Sequence, residues 1–306
     1  MHLCHLIVFP LKRLKFYILI ISFSGFSAAL QSQIVEGKEA ALAFGYLYDF
    51  ELVLADSIVQ KELQSNPASA KWNLMSAYVA WSQILAGKLE DDYWNDRFNK
   101  DIRKAKEILK ETKLETNEDL FAYIIVHAFK TRHELLNDNY LNAANDLNTC
   151  IDQISDSFGR ENEYEPFHLT AGLYYYFMWL AYEDYFWIRP YLMLYPEGDK
   201  EKGLAYLTEM TKSSDAFLRN ESLYFLMRIY YDLEKDYRLA KKYADILVSD
   251  NPNNLIYRLF QYRIALEIDE AHSTELRTEY LNQVNATKSL TGQEKDHFIR
   301  ELDAAD

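Results

Sequence analysis

Any chemistry in this chain must come from seven histidines, a thiol at Cys150 and one dense run of aromatic residues flanked by carboxylates. His127 and His133 lie six residues apart, on different sides of an ideal helix. The chain carries no HExxH or CxxC, so no familiar zinc spacing is present. The dinucleotide GxGxxG, the phosphate-cradling Walker loop and the GxSxG nucleophile elbow are likewise missing. These observations predict no metal, no cofactor and no catalytic residues. The one constellation with chemical potential is Trp179, Tyr182, Tyr185, Trp187 and Arg189, with Glu183 or Asp184 as a candidate acid. Aromatic walls beside carboxylates can hold and process a sugar. The same rings can anchor an apolar peptide, or can seal an irregular joint between two stacks of helices.

The elements that must position these residues are helical. Only 9 Gly and 6 Pro occur in 306 residues, against 49% hydrophobic and 26% charged side chains. That is ample core material with little turn punctuation. The 24 Tyr and 17 Phe suit broad helix–helix seams whose rings fill space while hydroxyls reach the edge. Residues 221–254 read as two amphipathic helices joined by a tight turn and closed by Pro252. The first presents Tyr224, Met227 and Tyr231. The second starts at Asp236-Tyr237 and presents Leu239, Ala240, Tyr243, Ala244 and Leu247. Small Ala240 and Ala244 let two backbones approach closely.

Periodic patterns run from about residue 36 to the end. The first pair predicts a second helix with Phe50, Leu54 and Ile58 on its inner face, and Ala55 stands 12 residues before Pro67, as Ala240 does before Pro252. Trp72, Ala77, Trp81 and Leu85 form the next stripe, followed by Phe98, Ile102, Ala105, Ile108 and Leu109. Cys150 shares a face with Ala143, Leu147 and Ile154 and reads as a small buried hydrophobe. Asn139-Tyr140 with Ala143 repeats the pattern at Asp236. Residues 167–203 are irregular; Pro190 must end or kink a very aromatic helix, and Asp199 is placed to cap the next one. The terminal stretch from Ser289 is polar enough to close a helical stack.

The 34-residue spacing at 221–254 resembles the tetratricopeptide-repeat superfamily. With LYDFELVLADSIVQKELQSNP at 47–67, AGLYYYF at 171–177 and PEGDKEKGLAYL at 196–207, the chain also resembles secreted helical-repeat proteins of Bacteroidetes-type bacteria. The resemblance implies an all-α, right-handed α-α superhelix of about 12 helices in antiparallel pairs, whose concave face binds peptides or whole proteins. Tyr224, Met227, Tyr231, Tyr237, Ala240, Ala244, Leu247 and Pro252 are its structural positions. Arg228 departs from the pattern, at a position normally small, and Ala244 and Leu247 exchange the usual order of sizes.

At the amino end, Lys12, Arg13 and Lys15 precede an apolar run of about 15 residues ending in small side chains. This layout predicts a signal peptide over residues 1–33, removed near Ala29–Gln33; an uncleaved anchor and a buried first helix are the alternatives. Cleavage moves the net charge from −14 to −17, because three cationic and no acidic side chains leave, and with Cys4 gone no internal disulfide can form. The expected location is the periplasm or envelope of a Gram-negative bacterium, with no stable membrane span after cleavage. Such a charge disfavours nucleic acid and anionic lipid. The expected mature region, residues 34–306, reads as one helical-repeat domain with a joint around 159–203. Its expected role is a noncatalytic scaffold or adaptor that binds another protein or peptide. The alternative is a carbohydrate-binding protein or glycan-processing enzyme using residues 179–189.

Overall fold

The computed structural model describes residues 38–268 and 270–305; the expected signal segment and its cleavage region lie outside them. The described secondary structure is entirely helical, with fourteen α-helices rather than about twelve. They are α1 (Lys38–Tyr48), α2 (Leu52–Ser65), α3 (Ala70–Gln83), α4 (Asp92–Glu111), α5 (Asn117–Leu136), α6 (Tyr140–Ser157), α7 (Phe167–Asp184), α8 (Arg189–Leu192), α9 (Lys200–Met210), α10 (Ala216–Arg228), α11 (Tyr237–Asp250), α12 (Leu255–Ile268), α13 (Glu270–Ala286) and α14 (Gly292–Asp303). Many starts are fixed by a side chain accepting from a first-turn amide. Ser69 accepts from Trp72 N, Thr116 from Asp119 N, Asp199 from Lys202 N and Asp236 from Leu239 N. At α14, Thr291 and Glu294 complete a reciprocal capping box.

The helices form two compact units. One comprises residues 113–225; the other joins residues 38–112 to the described residues after Phe225. Within each unit, consecutive helices pack as neighbours, the arrangement of helical-repeat proteins. Residues 159–203 lie inside the first unit.

In the first unit, α5 packs on α6, and α7 packs on both α6 and α9. Cys150 is buried, donates to the Ile124 carbonyl at 3.6 Å, and burial pushes its thiol up to about 12. That shift disfavours the nucleophilic thiolate. Ala143 is buried as the repeat pattern requires, and Tyr140 is 40% exposed and donates to Asp138 at 2.7 Å.

In the second unit the chain's early and late helices share a core. Asp49 accepts from the backbone N and Nδ2 of Asn253 at 3.2 and 2.8 Å, and Asn254 Nδ2 donates to the Tyr48 carbonyl at 2.8 Å. Phe50 meets Phe298 edge-on at 5.6 Å, and Lys88 pairs with Glu294 at 3.1 Å. Gly87, at φ 104°, lies against His297, whose Cβ would be 2.7 Å from any added methyl group. The terminal stretch is therefore polar on one face only: Phe298 and Leu302 are core residues.

Phe50 also corrects the expected stripe of α2. It is not helical. It closes α1 at φ 67°, with its own amide bonded to Leu47 and that of Glu51 to Tyr46, a Schellman turn made without glycine. The helix phase is then set from Leu52, so Leu52, Ala55 and Val59 are buried and Leu54 is exposed. Asp138 closes α5 in the same way at φ 60°, and Lys235 takes φ 55° before α11. These turns show how a chain with so few glycines reverses direction.

The segment at 221–254 folds as helical stretches on either side of a short turn. Met227, Ala240, Ala244 and Leu247 are fully buried, and Tyr237 reaches back to Tyr231 with ring centres 5.9 Å apart. Arg228 is accommodated because its guanidinium pairs with Asp232 and lies 4.6 Å over Phe260, while a π-helical turn at Ile229–Leu233 widens the helix end.

Candidate interaction surface

The aromatic residues singled out by type lie at the end of α7 and in the segment leading to α9. Helix α7 ends at Asp184, six residues before Pro190, which sits in the first turn of the four-residue α8. The chain leaves the helix at Tyr185, makes a 3₁₀ turn at Phe186–Ile188, and returns through Met193–Gly198 to α9. This strap, residues 185–198, is fixed at several points. Arg189 Nε donates to the Tyr182 carbonyl at 2.7 Å, capping the C-terminus of α7, with its guanidinium 4.5 Å over the Tyr182 ring. Tyr191 and Tyr195 both donate to Asn148 Oδ1 on α6, Tyr195 at 2.7 Å. Tyr174 donates to the Pro196 carbonyl at 2.8 Å, and Asp199 N to the Tyr175 carbonyl at 2.9 Å.

The return leg crosses α7 at backbone distance. A methyl group on Gly198 would meet Trp179 N at 2.0 Å, and one on Gly203 would meet Tyr176 N at 2.6 Å and the Gly172 carbonyl at 2.7 Å. Gly172 belongs to AGLYYYF and Gly203 to PEGDKEKGLAYL. The two short motifs are thus opposite sides of one close helix crossing.

The five residues proposed from sequence fare differently. Tyr185 is buried, with its ring 6.1 Å from Trp187. Trp179 is half-buried beneath Lys200, 4.8 Å away. Arg189 is committed to the cap. Tyr182 and Trp187 are exposed, at 44% and 52%. Beside these five, Phe186, Met193 and Leu194 are each 77% exposed and Tyr191 is 49% exposed. The available signal was PYLMLYP, an apolar run between two prolines with room for only the four-residue α8.

One histidine–carboxylate pair that spacing could not reveal joins adjacent helices. His127 Nδ1 on α5 lies 2.7 Å from Asp146 Oδ1 on α6, and Lys130 bridges Asp146 and Glu134 at 3.6 and 2.8 Å. His127 and Asp146 are both buried, and the cluster ties α5 to α6 beneath the surface. Among the described residues no group of three or more His, Cys, Asp or Glu has the arrangement of a metal site, and no helix is long and apolar enough to cross a membrane. The chain matches no protein-family model, no curated protein and no solved structure.

Proposed function

We propose that this chain is a noncatalytic interaction scaffold of the bacterial cell envelope, a tetratricopeptide-like repeat protein of right-handed type, that binds another protein through the strap and the end of α7. The observation that carries this reading is a set of apolar side chains held outward by a segment whose inward groups are bonded to α6 and α7. Scattered exposed hydrophobes are ordinary; several exposed within residues 186–194 on a fixed frame are the mark of a contact surface. Export of the chain, with cleavage near Ala29–Gln33, supplies the compartment in this reading.

Photo-crosslinking in the native cell tests it. A benzophenone amino acid placed at Phe186 or Met193 should capture one reproducible protein, and the same probe at exposed Tyr93, in the other unit, should not. Equal capture at all three sites, or none, defeats the proposal. The glycan reading draws support from exposed Trp187 near Glu183 and Asp184. Saturable oligosaccharide binding lost in Trp187→Ala would put that reading first. The mass of the native amino terminus tests export separately.

A further inference from the structure

The charges around the strap indicate what kind of segment it takes. Glu183 and Asp184 at the end of α7 and Glu197 on the return leg are exposed, and none forms an ion pair among the described residues. The cations nearby in the chain, Arg189, Lys200 and Lys202, keep their charge and are each held against an aromatic ring. Arg189 bonds the Tyr182 carbonyl and covers that ring, and Lys200 lies over Trp179. Along the chain, exposed Phe186, Trp187, Met193 and Leu194 are preceded by Glu183 and Asp184 and followed by Glu197, and residues 182–202 carry five acidic against three basic side chains, on a chain whose net charge is −14. Resting on the interaction reading above, we propose that the strap docks an apolar segment flanked by lysine or arginine on a partner protein.

The physical division of labour is simple. Apolar contact supplies affinity, and the three carboxylates select sign and speed encounter. An anionic bilayer surface would be repelled by the same carboxylates. A partner with acidic flanks would place like charges together at partial desolvation, which costs affinity and discriminates against it.

The test uses the purified protein and two fluorescent synthetic helices with the same leucine pattern, one completed with lysine and one with glutamate. Fluorescence anisotropy should show saturable binding of the leucine–lysine helix, at least about tenfold tighter than the leucine–glutamate helix. Joint Phe186→Ser, Met193→Ser and Leu194→Ser changes should weaken it by about tenfold or more. These side chains are each 77% exposed, so the fold should be unaffected, which the helical circular dichroism spectrum verifies. Joint Glu183→Gln, Asp184→Asn and Glu197→Gln changes should erase the preference between the two helices while leaving an apolar contribution.

Binding that depends on the apolar residues but ignores peptide charge overturns this inference and leaves the interaction reading standing. Leucine–lysine binding unaffected by the serine changes is general attraction to an acidic protein and overturns the inference. No binding of either helix also overturns it. Strap-dependent binding to phosphatidylcholine vesicles in place of the peptides makes the surface a membrane contact and sinks both readings. A concentration-dependent dimer abolished by the serine changes would make a second copy the occupant.

Discussion

Adding one methyl group at Gly203 should destabilise the protein, although the same change elsewhere in a helix stabilises it. Gly203 lies inside α9, where alanine is preferred over glycine by about 1 kcal/mol. Opposing this, the new Cβ would stand 2.6 Å from Tyr176 N, 2.7 Å from the Gly172 carbonyl and 2.9 Å from Tyr176 Cβ. Two of these neighbours are backbone and cannot rotate away. Restoring ordinary contact near 3.4 Å requires α9 to retreat by roughly 0.8 Å from a close-packed seam that includes fully buried Leu207. Overpacking of this kind costs about 1–3 kcal/mol, and against backbone atoms the upper part of that range exceeds the propensity gain, so Gly203→Ala should be net destabilising by up to about 2 kcal/mol. Gly45, inside α1, has nothing within 4 Å of the corresponding Cβ position. There the propensity term acts alone, and Gly45→Ala should stabilise by up to about 1 kcal/mol. Urea unfolding followed by circular dichroism and tryptophan emission compares the two variants. The midpoints are read probe by probe, because two units need not unfold together. If Gly203→Ala raises the midpoint as Gly45→Ala does, then α7 and α9 do not cross at backbone distance.

Four further outcomes are expected. Lys235→Gly should raise stability by about 1 kcal/mol, since Lys235 is exposed at φ 55°; no gain in the urea midpoint would count against that turn. Ala240→Trp should cost about 1–3 kcal/mol or more at a fully buried seam, read as a lowered thermal midpoint. Burial lowers the pKa of His133 to about 4, with Glu134 opposing and Lys130 reinforcing the shift. The folded protein therefore resists a proton that the unfolded chain accepts below its ordinary 6.5, so this contribution is complete above that pH and is lost as pH falls toward 4. Compared with wild type, His133→Gln should lessen the loss of stability between pH 7 and 4.5 by on the order of 2 kcal/mol; parallel pH curves would refute it. Finally, Phe298→Ala should cost about 3–5 kcal/mol and speed amide exchange in α1 and α2 as well as α14. Faster exchange confined to α14 would show that the early helices do not depend on it.

Local periodicity made the helices and much of the core legible. Phe98, Ile102, Ala105 and Leu109 are buried as their spacing requires, and Asp199 and Asp236 cap the helices assigned to them. What escaped is conformation or contact that spacing does not encode. Phe50 is a strongly apolar residue in helical register with Leu54, and only its positive φ removes it from α2. Arg97 looks like a surface cation on α4, yet it bonds both carboxylate oxygens of Asp56, at 3.0 and 2.5 Å, and reaches Ser76. That network links α2, α3 and α4 through polar groups that hydrophobic periodicity ignores. The aromatic region was found by composition. Which of its rings face solvent is decided by Arg189, Asn148 and Gly198, residues that carry no aromatic signal themselves.

The sharing of one core by early and late helices has a consequence for biogenesis. Residues 38–112 emerge from the ribosome first, but Phe50 waits for Phe298 and Asp49 for Asn253, which follow after more than a hundred further residues. The 113–225 unit has all its internal partners available before that point and can complete itself first. Until synthesis finishes, the leading helices hold apolar surface open to water, the state in which holding chaperones and proteases compete. A nascent chain stalled after that unit has emerged but before α14 would therefore be protease-sensitive at its beginning and resistant in its middle.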